Sequence, residues 1–267
     1  MIGRTVLGIV ALLAGLGTPV ALAATTTGTD PADGSGSDSP SERQIVGGEP
    51  TSTTEHPWVV ALTTANSESA YCGGALVAPD RVLTSAHCIS GYSTGGVRVI
   101  AGRTDLRSGK GEERWVVRYW VHPGYESPTG GDDVAVLLLD RPVPYRTVPL
   151  ETDHGAYRSG VPATVFGWGY TSEEGPSSPV LRSADLPLIA DSDCAATYRE
   201  FDSEEMVCAG DPRGEVDACY GDSGGPLIAA GRLIGITSWG SGCAREGAPG
   251  VFVRVASYAD DIDDRLD

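Results

Sequence analysis

Asp217-Ala218-Cys219-Tyr220-Gly221-Asp222-Ser223-Gly224-Gly225-Pro226 is the most specific stretch of this 267-residue chain. Glycines on both sides of Ser223 let backbone approach a ligand closely and present N–H donors to it. Taken alone, the stretch is also readable as a glycine-rich surface turn with an incidental serine. A serine hydroxyl is a weak nucleophile, and to act it needs a base held in one tautomer by a carboxylate. Four histidines are available. His56 and His122 each precede a proline, and His154 lies in an acidic polar stretch, so all three read as loop residues. His87 instead ends the run Leu83-Thr84-Ser85-Ala86-His87, beside Cys88, which could fix its backbone. For the carboxylate, Asp133 directly precedes the apolar run Val134 to Leu139 and could enter the interior; Asp132 competes with it.

Around these residues, short apolar stretches recur between turn residues: Val59 to Leu62, Val97 to Ile100, Trp115 to Val121, Val134 to Leu139, Ala163 to Phe166, Leu233 to Ser238 and Val251 to Val255. Trp115 to Val121 partly alternates, whereas Val134 to Leu139 is a continuous run suited to a strand buried on both faces. No amphipathic helix is expected before the end of the chain. There Ser257 and Asp260 stand at capping-box spacing, and Tyr258, Ile262 and Leu266 share one side. The 36 glycines agree with many turns and short strands. The pattern is all-β with a C-terminal helix, and does not separate barrels from sandwiches. With 40% hydrophobic residues the chain is globular, and its formal charge of -17 argues against a nucleic-acid partner, whose phosphates it would repel.

At the start, Arg4, the apolar stretch Val6 to Val20 and Ala21-Leu22-Ala23 form a secretory signal over residues 1–23. Residues 24–44 read as a polar leader or propeptide, and 45–267 as the packed domain. The expectation is a secreted, extracellular protein with no membrane attachment once the signal is removed. Export favours disulfides for the six cysteines, and no C-x-x-C pair suggests a metal.

Taken in order, Ile45-Val46-Gly47-Gly48, Thr84-Ser85-Ala86-His87-Cys88, Asp133-Val134-Ala135-Val136, Gly221-Asp222-Ser223-Gly224-Gly225-Pro226 and Ser238-Trp239-Gly240 resemble the trypsin/chymotrypsin-like serine proteases. The resemblance covers essentially all of residues 45–267. It implies two packed six-stranded antiparallel β-barrels with the site between them. It also implies a catalytic triad of Ser223 as nucleophile, His87 as base and Asp133 as its orienting acid, with an oxyanion hole from the N–H groups of Gly221 and Ser223. Ser238 would help hold Asp133. Asp217 would form the base of the primary pocket, Ala218 its neighbour, and Gly240, Gly250 and Tyr198 its walls. Substrates would be proteins or peptides cut after Arg, and less well Lys. Protein protease inhibitors are implied as partners, the chain is expected to be a monomer, and the chemistry needs no cofactor. The implied disulfides are Cys72–Cys88, Cys194–Cys208 and Cys219–Cys243. Activation would free the Ile45 ammonium to pair with Asp222.

Several positions depart from the family pattern. Ala218 stands where many trypsins have serine, favouring Arg over Lys. Gln44, not Arg or Lys, precedes Ile45, so self-activation is not expected. Arg103 falls near the first acidic ligand of the calcium loop of vertebrate trypsins, which puts calcium there in doubt. Gly130, near Asp133, leaves the neighbouring subsite roomy. A binding module on the same fold without activity is the rival reading; the presence of all three triad residues weighs against it.

Overall fold

The computed structural model describes residues 45–266, so the signal and leader expectations for 1–44 lie outside the described residues. In chain order the strands are β1 (Glu49–Pro50), β2 (Val59–Thr64), β3 (Cys72–Ala78), β4 (Arg81–Thr84), β5 (Val97–Ala101), β6 (Glu112–Val121), β7 (Ala135–Leu139), β8 (Pro162–Gly167), β9 (Arg182–Pro187), β10 (Met206–Ala209), β11 (Pro226–Ala229), β12 (Arg232–Trp239) and β13 (Gly250–Arg254). Two short helices accompany them, α1 (Asp191–Thr197) and α2 (Ala259–Asp263).

Strands β2-β3-β4-β7-β6-β5 close into an antiparallel barrel. A second sheet runs β1-β9-β8-β11-β12-β13-β10. Just beyond β9, a bridge between Leu188 and Ala209 joins its chain to β10, with Ile189 N donating to Cys208 O at 2.9 Å. Six strands thus form a second ring, and β1 pairs with the start of β9 as an addition.

The continuous apolar runs follow from burial on both faces. In β2, Val60 and Leu62 pack inside the first barrel, while Val59 and Ala61 join a second cluster with Phe166, Trp168, Ile228 and Ile236 from the other barrel. Strand β7 does the same, with Leu137 inside and Val136 in the inter-barrel cluster. A register shift between Val116 and Arg118 explains why β6 alternates only in part.

All seven expected strand segments are found, but others carry a weaker signal. Strand β3 contains Gly73 and Gly74 because a Cβ at Gly74 would meet Val82 Cγ1 at 2.6 Å, and one at Gly73 would meet Gly225 Cα at 2.9 Å. Helix α1 corrects the expectation of no helix before the end; only Cys194 of its residues is buried, so it has no amphipathic period. The C-terminal helix exists, but Ser257 does not cap it. A 3-10 turn at Val255–Tyr258 leads into α2, and the Ser257 hydroxyl donates to Glu204 O instead. Tyr258 and Ile262 are buried with Leu266 packed against them, as the spacing implied.

Candidate active site

His87 lies on a 3-10 turn, Ala86–Cys88, directly after β4. Three contacts hold that turn: the Cys72–Cys88 disulfide, Tyr71 Oη donating to Cys88 O (3.1 Å), and Ser85 Oγ donating to Thr237 O of the second barrel (2.7 Å). Asp133, 1% exposed, receives His87 N at 2.9 Å on Oδ1. Its Oδ2 lies 2.8 Å from His87 Nδ1 and accepts from Ser238 Oγ at 2.6 Å. A carboxylate only accepts, so Nδ1 is the donor in this bond and Nε2 is turned away from Asp133. Asp132 turns away from His87. Its backbone is left-handed (φ 55°), and its carboxylate meets Tyr258 Oη at 3.0 Å and His122 Nδ1 at 3.1 Å.

Ser223 comes from the loop before β11. Its carbonyl accepts from Gly73 N at 2.7 Å, and next to it Gly224 (φ 75°) fits tightly against the His87 turn. A Cβ there would stand 2.2 Å from Thr84 Oγ1 and 3.3 Å from Cys88 Sγ. The serine and histidine segments are therefore brought together through backbone, and among the described residues no hydrogen bond joins the Ser223 hydroxyl to the His87 ring. In the same loop the N–H groups of Asp222, Gly224 and Gly225 donate to Cys219 O, Thr237 O and Asp222 O. Those of Gly221 and Ser223 have no acceptor among the described residues.

Beside Ser223 opens a cavity of about 240 Å³, lined by Asp217, Ala218, Ser238, Gly240 and Gly250. Asp217 is 4% exposed. Its Oδ2 accepts from Ala244 N at 3.0 Å, while Oδ1 is buried without a partner. Burial pushes its carboxyl up to about 7, against the backbone N–H groups of Ala244 and Ala218. A Cβ at Gly250 would sit 3.1 Å from that unpaired oxygen, whereas one at Gly240 would make only ordinary contacts, with Gly242 O at 3.7 Å and Gly250 Cα at 3.9 Å. Tyr198, expected as a wall, does not line the cavity. It packs edge-on against Trp239 (4.9 Å) and donates to Pro249 O (2.8 Å), supporting the wall from behind.

The family model described as Trypsin matches residues 45–262. The chain belongs to the trypsin family. It is 45% identical to a trypsin of Saccharopolyspora erythraea over 81% of this chain and 95% of that one. It is also 39% identical to trypsin eta of Drosophila melanogaster (82% and 87%) and 34% identical to a vitellin-degrading protease of Bombyx mori (84% and 86%). As a trypsin-like serine endopeptidase, the protein is a hydrolase acting on protein or peptide substrates.

In this trypsin-family chain, Asp222 is fully buried and accepts from Gly169 N (2.7 Å) and Cys219 N (3.0 Å). Burial raises its carboxyl to about 7, and nearby Asp217 adds to the shift. Ile45 is buried inside the second barrel with Ala218, and Asp217 N donates to Val46 O at 3.1 Å. The φ of Ile45 is 43°, a left-handed setting that a β-branched residue tolerates poorly while residue 44 remains attached. All three disulfides pair as the resemblance implied. Arg103, 3% exposed, donates to Lys110 O and to Glu113 Oε1 (2.8 Å), so a guanidinium fills the segment where the calcium ligand was doubted.

Sequence reasoning missed Tyr220 and Pro128, both lining the cavity. Tyr220 stands inside the quoted serine stretch and is 56% exposed, a signal visible only once burial is known. Pro128 reaches the cavity from the short turn before Asp133 and left no mark in the sequence pattern.

Proposed function

We propose that this endopeptidase cuts after Arg, and less well after Lys, through a triad of Ser223, His87 and Asp133. One observation carries the reading: Ser223 and a buried carboxylate with one unpaired oxygen, Asp217, share a single cavity. An arginine side chain entering it meets Asp217 with a two-pronged donor, and Ala218 offers no hydroxyl to help a shorter ammonium. Bound this way, the substrate presents its next carbonyl to Ser223. His87 Nε2 takes the hydroxyl proton as Oγ attacks, and Asp133 stabilises the resulting imidazolium. The oxyanion that develops is received by Gly221 N and Ser223 N, each worth about 3 kcal/mol. His87 then protonates the leaving amine, and water completes the cycle by hydrolysing the acyl-enzyme.

The same reading extends to maturation. Residues 1–23 direct secretion, 24–44 form the leader, and 45–267 form the catalytic domain, working extracellularly as a monomer open to protein protease inhibitors. Release of Ile45 lets its ammonium reach Asp222, a buried carboxyl otherwise held only by the Gly169 and Cys219 N–H groups, and orders the oxyanion loop. Because Gln44 precedes Ile45, another protease, or trimming after a cut at Arg43, completes that release. The decisive experiment is kcat/KM on matched Arg and Lys amides with the matured enzyme. A clear Arg preference is expected, and equal values would refute it.

A further inference from the structure

Gly131, Asp132 and Asp133 are consecutive residues shortly before β7, and each is met by a different residue from the second half of the chain. Ser238, in β12, donates to Asp133 Oδ2 at 2.6 Å. Tyr258, on the turn after β13, uses its hydroxyl twice on Asp132: Oη donates to Oδ1 at 3.0 Å and accepts from the backbone N–H at 3.2 Å. Among the described residues that hydroxyl bonds to nothing else, while the ring is buried in the inter-barrel cluster. Glu205, just before β10, fills the space beside Gly131, where a Cβ would collide with its Oε2. Arg254 N fixes the Glu205 backbone by donating to its carbonyl at 2.8 Å.

Asp132 needs such a grip. Its φ of 55° is left-handed, a setting that Asp tolerates better than most residues but that still opposes folding. Val134 N tightens the turn by donating to Asp132 O at 2.8 Å. Because the chain reverses at Asp132, its own carboxylate faces Tyr258 and His122, and the next carboxylate faces His87. An Asp132 relaxed into the ordinary right-handed or extended region would turn the Asp133 side chain with it. Other charged groups border the same turn. His122 Nδ1 lies 3.1 Å from Asp132 Oδ1 and accepts from Gly124 N at 3.2 Å, and Asp261 stands 3.8 Å from His122 Nε2. Burial, with the charges of Asp132 and Asp202, pushes the Glu205 carboxyl up, so it stays protonated beside Asp132 to higher pH than a free glutamate.

We propose that Tyr258 is a positioning residue for catalysis: its hydroxyl locks Asp132 in the left-handed turn and thereby holds the Asp133 carboxylate against the His87 ring. The proposal rests on the triad reading given above. Tyr258 does not line the substrate cavity, so it acts only through Asp132 and Asp133.

Tyr258→Phe tests it, since the ring still fills the core and only the hydroxyl is lost. Rates are counted per Ser223 labelled by an organophosphorus reagent, so a misfolded fraction does not enter. kcat on an Arg amide should fall about tenfold with KM unchanged. A carboxylate less well placed stabilises the imidazolium less, so the acid limb of the kcat/KM profile should move to lower pH by about half a unit. Asp132→Ala, which lacks the acceptor and is strained at a left-handed φ, should show both changes, and adding Tyr258→Phe to it should cost little more. Additive losses, or a normal kcat in Tyr258→Phe, overturn the proposal. So does a slower Tyr258→Phe enzyme whose acid limb has not moved, because that marks a purely structural role. Asp133→Asn is run alongside. If it costs less than tenfold, the triad reading fails and takes this proposal with it. If it is crippling while Tyr258→Phe is not, the triad stands and only the role of Tyr258 is refuted.

Discussion

Two buried carboxylates, Asp133 from the first barrel and Asp217 from the second, are treated in opposite ways. Asp133 of the first barrel is saturated: His87 N, His87 Nδ1 and Ser238 Oγ all direct hydrogen bonds at it. Asp217 of the second is left short, with Ala244 N on one oxygen and nothing on the other. A carboxylate whose acceptor sites are met inside the fold is held in one place, which suits a group that must orient an imidazole. One kept dry and half-paired is costly until a cation arrives, which turns that cost into selectivity.

The most severe way to break this contrast is to remove charge from the saturated member. Asp133→Asn keeps the shape but presents an amide that favours the wrong imidazole tautomer. kcat on an Arg amide should fall by about 10⁴, with KM nearly unchanged, as in the general triad case. A loss smaller than tenfold would mean that Asp133 does not orient His87. Next comes the unsaturated member. Asp217→Ser removes the carboxylate proposed to meet the substrate's guanidinium, and kcat/KM for Arg amides should drop by about 10³ to 10⁴. The hydroxyl of Ser223 should still be labelled by an organophosphorus reagent. Loss of labelling as well would show that the two carboxylates are not separable in function.

A milder change tests saturation itself. Ser238→Ala removes one of the three donors to Asp133 without touching His87. A hydrogen bond to a charged group is worth about 1.5–3 kcal/mol, so kcat should fall by roughly ten- to a hundredfold. If Ser238→Ala were as damaging as Asp133→Asn, Ser238 would have a direct part in the chemistry.

The contrast also explains how much of the site the sequence disclosed. His87 could be reached by elimination because the other three histidines carry loop signals. Asp133 and Asp132 could not be separated, since both precede the same apolar run. What divides them is the left-handed turn at Asp132, which aims its side chain at His122 and Tyr258, partners far along the chain. The strands with continuous or alternating apolar residues were legible, whereas β3 was hidden by glycines that packing requires, Gly74 within its own barrel against Val82 and Gly73 across to Gly225. Tyr198 was placed at the cavity wall by resemblance, but its hydroxyl is spent on Pro249. Ser257 had the right spacing for a cap and found the Glu204 carbonyl instead.

The smallest effect concerns a third buried carboxyl, Asp222, whose two oxygens, unlike those of Asp133, accept only from backbone N–H groups. Its pKa of about 7 in the fold lies above the ordinary 3.8. A raised carboxyl holds its proton longer in the native state than in the unfolded chain. The stability it contributes is therefore fully present below about pH 3.8 and is lost as pH rises through about 7. Asp222→Asn cannot ionise, so in a chain where Ile45 is still attached to residue 44, the variant should gain on the parent as pH rises from 5 to 8. The gain should reach several degrees of Tm. Any constant cost of placing an amide against Gly169 N and Cys219 N cancels from this pH difference. If the released Ile45 ammonium pairs with Asp222 as proposed, it holds the carboxylate ionised, so the order should reverse, with the parent the more stable at pH 8. If the variant's gain stayed the same before and after release, Asp222 would be a structural acid unrelated to the Ile45 terminus, and the saturated–unsaturated division would stop at Asp217.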